Sequence, residues 1–242
     1  MSKSAIQANP LTKTYKHIFF DLDHTIWDFD RNAEETLHEL YALYQLGDKG
    51  LPPATVFIET YTRNNHQLWA EYHTGKITRE ELRETRFKRT FLQLGLHPHL
   101  LPLSFENDYV KLCPTKINLF PQAHETLAYL QSKYTLHLIS NGFKESSEMK
   151  IEKTGIGRYF THIIISENVG VNKPDKAIFE HALNLAGAAK EESLMIGDSL
   201  EADVYGAINF GMDAIYFNPH NAVKPNDIPL QINNLHKLTH LL

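Results

Sequence analysis

Five short apolar runs, each cut off by polar residues, restrict what this chain can fold into. Ile18-Phe19-Phe20 stops at Asp21, and Thr135-Leu136-His137-Leu138-Ile139 stops at Ser140-Asn141-Gly142. Ile163-Ile164-Ile165 stops at Ser166, Ser193-Leu194-Met195-Ile196 at Gly197-Asp198-Ser199, and Ala214-Ile215-Tyr216-Phe217 at Asn218-Pro219. Runs this short and apolar throughout, rather than alternating, are what strands covered on both faces look like. Helical patterns lie between them. Gln122 to Lys133 puts Ala123, Leu127 and Leu130 on one face, and Asp175 to Ala186 does the same with Ile178, Phe179, Ala182 and Leu185. Leu200 to Phe210 places Val204, Ala207 and Ile208 inward. This alternation predicts an α/β fold, a doubly wound and mostly parallel sheet with helices on both faces, whose ligand sits at the carboxyl ends of the strands.

The stretch from Phe29 to about Glu106 breaks the pattern. It holds no strand signal, only helical patterns interrupted by Gly47-Asp48-Lys49-Gly50, Pro52-Pro53, Gly75 and His97-Pro98. Thr78-Arg79-Glu80-Glu81 has the form of a capping box. Residues 29–106 are therefore expected to form an inserted all-helical cap domain, and 1–28 with 107–242 the catalytic core. Because the insertion follows the first strand, it is expected over the carboxyl end of the sheet.

The composition excludes several classes. A net charge of −5 and a pI near 6.3 argue against a nucleic-acid polymer or an anionic membrane as partner. A single cysteine, Cys113, allows no internal disulfide and no zinc-thiolate site. Met1 to Lys16 is polar, without the apolar stretch of a secretory signal, and no apolar run has the ~18 residues needed to span a membrane. A cytoplasmic location is expected.

The strand ends carry the chemistry. In Asp21-Leu22-Asp23 two carboxylates leave a strand two residues apart, and their repulsion calls for a cation or a shared proton. A magnesium ion, with one carboxylate as nucleophile and the other as acid/base, is one reading. A polar turn capping the next helix is the other. Ser140-Asn141-Gly142 is a turn that can present a hydroxyl and backbone N–H groups to a phosphate. Pro174 is expected as the first residue of a helix, which sets the Lys173 cation beside the positive end of a helix dipole, where an anion would satisfy both. Asp198 can cap the helix that follows it, with Glu201 in support, or hold a metal with Asp203 behind it.

Taken together, in this order and all at strand ends, these motifs resemble the haloacid dehalogenase-like hydrolase superfamily from about His17 to Phe217. The resemblance implies a Rossmann-like core and a role for each matching position. Asp21 would be the nucleophile that becomes an aspartyl-phosphate. Asp23 would be the general acid, then the base that activates water. Ser140, with Asn141 beside it, would bind the phosphate, and Lys173 would neutralise its oxygens. Magnesium would be held by Asp198, the Asp21 carboxylate and the Asp23 backbone carbonyl, with Asp203 supporting. Dehalogenases of this fold lack an acid at the place of Asp23, so its presence favours phosphoryl transfer. A non-catalytic binding module would be expected to lack one of these residues. Phosphomutases and sugar-phosphate phosphatases share the motifs.

His24 and the run Ile26-Trp27-Asp28-Phe29, followed by the helical insertion, are similar to the pyrimidine 5'-nucleotidase branch. That implies a small phosphomonoester as substrate, a nucleoside monophosphate. Arg83 and Arg86 are candidates for a cap arginine facing the cleft, and Trp27, Phe29, Trp69 and Tyr72 for stacking on a base. The same side chains serve equally as a solvated face and as core packing. His97-Pro98-His99, on a proline-broken loop without further ligands, is not expected to bind metal.

Overall fold

Each apolar run is a strand in the computed structural model, which describes residues 13–242. Most of the Met1–Lys16 stretch read against a secretory signal lies outside the described residues. The strands are β1 (His17–Phe20), β2 (Thr135–Ser140), β3 (His162–Ile165), β4 (Ser193–Gly197) and β5 (Asp213–Phe217). A sixth, β6 (Gln231–Ile232), was not foreseen; two residues make no apolar run. The order is β3-β2-β1-β4-β5-β6 and every pairing is parallel. The chain builds outward from β1 through β2 and β3, then crosses back to β4. The carboxyl ends of β1 and β4 thus flank the point where the winding reverses, where sheets of this kind leave a crevice.

Two compact units are present. The first takes the residues up to Trp27 together with Leu119–Lys144 and Gly155–Leu242. On one face of its sheet Phe19, Ile139, Ile164, Met195 and Ala214 pack with Ile178, Phe179, Ala182 and Leu183 of helix Lys176–Ala186 and with Val204 and Ala207. The pattern read as one helix over 200–210 is a π-helical turn, Leu200–Tyr205, that passes into an α-helix, Gly206–Phe210. Pro174 does not open a helix. Asp175 is the cap, its carboxylate accepting the Ala177 N–H at 2.9 Å, so the helix begins at Lys176 and Lys173 stands clear of its first turn. The helix-dipole argument for Lys173 therefore does not apply.

The second unit takes Asp28–Asn118 and Glu145–Thr154. It contains α1 (Phe29–Leu43), α2 (Ala54–His73), α3 (Arg79–Gln93) and α4 (Phe105–Leu112), and among its described residues there is no strand. The expected capping box is formed: the Glu81 N–H donates to Thr78 Oγ1 at 3.1 Å and the Thr78 N–H to Glu81 Oε2 at 2.7 Å. Its bounds differ from 29–106, for two reasons in the packing. Phe105 of α4 sits edge-on to Phe87 and Phe91, with ring centroids 4.8 and 5.2 Å away, which ties α4 to the helices. Asn32 of α1 then holds Asn118, donating to its carbonyl at 2.8 Å and accepting its N–H at 3.1 Å. Lys150, buried with its ammonium 5.6 Å from the Phe29 ring centre, belongs to this unit as well.

Candidate active site

The sheet delivers Asp21. Its N–H donates to the Ile196 carbonyl at 2.9 Å, prolonging the β1–β4 ladder by one residue, and its side chain emerges at the switch point, buried. A tight loop follows: the Leu22 carbonyl accepts the N–H groups of both Ile26 and Trp27 at 2.9 Å, and His24 takes a left-handed φ of 61°. Asp23 is half-buried within this loop. Thr25 lies fully buried and its hydroxyl donates to Asp198 Oδ1 at 3.2 Å, linking the loop after β1 to the end of β4.

Lys173 is the centre of the arrangement. Its side chain is 1 % exposed, and Nζ lies 2.6 Å from Asp21 Oδ1, 2.7 Å from Asp203 Oδ1 and 2.7 Å from the Ile139 carbonyl. Two of these contacts are hydrogen bonds, to Asp21 Oδ1 and to the Ile139 carbonyl; the third is an ion pair with Asp203, whose buried Oδ1 accepts no hydrogen bond. The other Asp203 oxygen accepts the Ser199 N–H at 3.0 Å. Ser140 Oγ accepts the Gly142 N–H at 3.0 Å, which folds the loop after β2 back on itself. Asn141 is turned away from open space: its side chain pairs with the backbone of Lys173.

Asp21, Asp198 and Asp203 each offer an oxygen within 4.8 Å of the others. If all are ionised, three carboxylates face one ammonium and two negative charges remain uncompensated. Burial raises the Asp21 carboxyl well above the ordinary carboxylate range; Asp203 and Asp198 push the same way, against the pull of Lys173. Asp198 is raised for the same first reason, with Asp203 adding and Lys173 and Thr25 opposing. Burial alone would lower the Lys173 ammonium, but Asp203 and Asp21 carry it above its usual value, so it stays charged. This excess of hard oxygen donors fits a divalent cation such as magnesium, which would keep the carboxylates ionised. Asp21 and Asp198 are suited to touch it. Asp203 is 1 % exposed, faces the Lys173 ammonium with Oδ1 and accepts the Ser199 N–H with Oδ2, which suits a residue that supports the site from behind.

The structure thus brings together Asp21, Lys173, Asp198 and Asp203, with Ser140 and Asn141 at the neighbouring strand end. Two contributors were not read from the sequence: Thr25, and the Ile139 carbonyl that accepts from Lys173. The candidates for base recognition fare differently. Trp27 is fully buried. Arg86, 4 % exposed, forks onto Glu106 at 2.8 and 2.7 Å, and Arg83 reaches the same carboxylate at 3.2 Å, so both arginines serve the interior of the helical unit. Trp69 and Tyr72 are half-buried and meet edge to face at 5.5 Å, and Phe29 packs under Lys150. His97 and His99 approach each other, Nδ1 to Nδ1 at 2.5 Å.

A family model for haloacid dehalogenase-like hydrolases matches residues 15–211, which span every strand end described above except those of β5 and β6. The chain belongs to this family. It is an enzyme of the hydrolase class, with a parallel-sheet core and a helical insertion. The pyrimidine 5'-nucleotidase YjjG of Escherichia coli (strain K12) is 32 % identical over 228 residues, covering 93 % of this chain and 96 % of that protein. The pyrimidine 5'-nucleotidase PynA of Streptococcus pneumoniae is 33 % identical, covering 86 % of this chain and 85 % of its own. Among solved structures, the magnesium-bound crystal structure of the HAD-hydrolase YfnB from Bacillus subtilis superposes with a TM-score of 0.83 at 28 % identity, over 95 % of this chain and 99 % of that one. No helix among the described residues is long and apolar enough to cross a membrane.

Proposed function

We propose that this enzyme is a magnesium-dependent phosphomonoesterase that works through an aspartyl-phosphate, and that its substrates are pyrimidine nucleoside 5'-monophosphates. The observation that carries the reading is the buried Lys173 ammonium held between Asp21 and Asp203, with Asp198 beside them at the switch point of the sheet. The two nucleotidase relatives, similar over most of their length, support the substrate class.

In this mechanism an Asp21 carboxylate oxygen attacks phosphorus and the bond from phosphorus to the ester oxygen breaks. Asp23 gives its proton to the departing alkoxide, so the nucleoside leaves neutral. Asp23, now a carboxylate, takes a proton from water; the water oxygen attacks phosphorus, and the bond to Asp21 breaks to return its carboxylate and release inorganic phosphate. Lys173 and the Ser140 loop hold the phosphoryl oxygens throughout. Bound magnesium would screen the repulsion between the attacking carboxylate and the phosphate. The domain division carries over into this reading: the sheet unit performs the chemistry, and the helical unit selects the substrate.

The test is phosphate release from pyrimidine and purine nucleoside monophosphates, sugar phosphates and small phosphorylated acids, each with magnesium and with chelator. Metal-dependent release led by the pyrimidine monophosphates is expected. Release led by sugar phosphates would overturn the substrate and keep the chemistry. Release that survives complete chelation would overturn the metal dependence, and no release from any of them would put a phosphomutase in front.

A further inference from the structure

Lys173 sits on an irregular segment between β3 and helix Lys176–Ala186, where neither a sheet ladder nor a helix supports its backbone. Both of its main-chain polar groups nevertheless find partners, and both partners belong to one side chain. The Lys173 N–H donates to Asn141 Oδ1 at 2.8 Å, and Asn141 Nδ2 donates to the Lys173 carbonyl at 2.9 Å. The match has a simple origin. Lys173 is the second residue of a turn closed by the Asp175 N–H on the Asn172 carbonyl at 2.9 Å, which leaves the N–H and C=O of Lys173 itself for another partner. A carboxamide, with its donor and acceptor side by side, meets both.

We infer that Asn141 is a positioning residue for Lys173, acting on catalysis through that lysine rather than on the phosphate. The inference rests on the proposed phosphomonoesterase reading. It also reassigns Asn141, which the resemblance had set beside Ser140 as a phosphate-binding residue. The end of β2 then holds the lysine at two points: Asn141, 32 residues back along the chain, grips its backbone, and the carbonyl of Ile139, 34 residues back, accepts its ammonium. A four-carbon stem fixed at root and tip has little freedom left. Its charge is set where Asp21 and Asp203 need it, and Asn141, itself 7 % exposed, has the edge of its amide that carries Oδ1 and one N–H taken by Lys173. Removing the carboxamide leaves a buried N–H and C=O without partners, and the loop must shift to satisfy them.

A double-mutant cycle tests this, with Asn141→Ala, Lys173→Met and the pair compared in kcat/KM and in affinity for inorganic phosphate with magnesium present. The expected loss for Asn141→Ala is about 10- to 100-fold in kcat/KM. The double variant should match Lys173→Met alone, because the amide has nothing left to position. Losses that multiply in the double variant would show that Asn141 acts on the phosphate directly and overturn the inference, as would an Asn141→Ala enzyme with unchanged kcat/KM. Hydrogen exchange at the Lys173 amide reads the same contact without catalysis and should speed up in Asn141→Ala, which removes the acceptor of that N–H. Asn141→Asp, of nearly the same volume and lacking the donor, replaces the alanine variant in the cycle should that fail to fold. If the wild-type protein hydrolyses no phosphomonoester, the proposed function falls; the exchange rates and the phosphate-affinity cycle still decide the role of Asn141.

Discussion

A side chain at Gly197 would collide with Asp203: a Cβ built there lies 2.3 Å from Asp203 Oδ2 and 2.4 Å from its Cγ. Position 197 must be glycine because the carboxylate that pairs with Lys173 is packed against its Cα. Strand end, carboxylate and lysine form one rigid assembly. Gly197→Ala is therefore expected to displace Asp203 and, with it, the Lys173 ammonium. Overpacking of this kind costs about 1–3 kcal/mol, and activity should fall further than that because the displaced group is the lysine's partner. Chemical denaturation and steady-state kinetics on the variant check both parts.

Lys173 compensates buried negative charge, so its loss should register in stability as well as turnover. Removing one partner of a buried ion pair typically costs about 3–5 kcal/mol. Lys173→Met is expected to lose that order of stability in chelator and to regain part of it with magnesium, whose charge would replace the ammonium's. Urea unfolding with and without the metal measures it. Equal stability in both conditions would contradict a cation site at Asp21 and Asp198.

Arg86 is held by Glu106 inside the helical unit, with Tyr109 and Phe87 against its guanidinium. Arg86→Leu should destabilise the protein by roughly 3 kcal/mol, since it leaves Glu106 with only the longer Arg83 contact. Arg86→Leu combined with Glu106→Leu should recover most of that loss. Thermal unfolding of the two variants compares them, and a double variant as unstable as the single one would contradict this account of the pair.

His137 gives the molecule a pH dependence remote from the site. It is fully buried, with its ring 4.6 Å from the Phe19 ring and 5.4 Å from that of His162, and Nε2 is 3.1 Å from His17 Nδ1. Burial, then the neighbouring His17 and His162, lower its pKa from 6.5 to about 4. Between those values the unfolded chain binds a proton that the folded chain refuses, so stability declines as pH falls from about 6.5 toward 4. His137→Phe is expected to show a smaller decline over that window in urea titrations at successive pH values. An identical slope would remove His137 as a contributor.

Much of this was legible in the sequence because it depends on local pattern. The five apolar runs became β1 to β5 with ends displaced by a residue or so, since strands buried on both faces leave no ambiguity about where polar residues begin. The capping box at Thr78 is local in the same way. What was missed depends on residues distant in the chain. Arg86 looks like any arginine on an amphipathic helix, and only the arrival of Glu106 in space shows that it is buried. The extent of the helical unit turned on Phe105 and Asn118, whose partners lie in α3 and α1. Asn141 and Lys173 meet across two loops, and no spacing rule announces that one carboxamide will match one backbone. Pro174 misled because proline commonly opens helices, whereas here Asp175 supplies a better cap.

The central claim is that Asp21 attacks phosphorus, and the turnover of Asp21→Asn tests it most directly. With a pyrimidine nucleoside monophosphate and saturating magnesium, the variant should fold as the wild-type protein does and lose turnover by at least about a thousandfold. A folded Asp21→Asn enzyme that retains wild-type turnover would contradict the account.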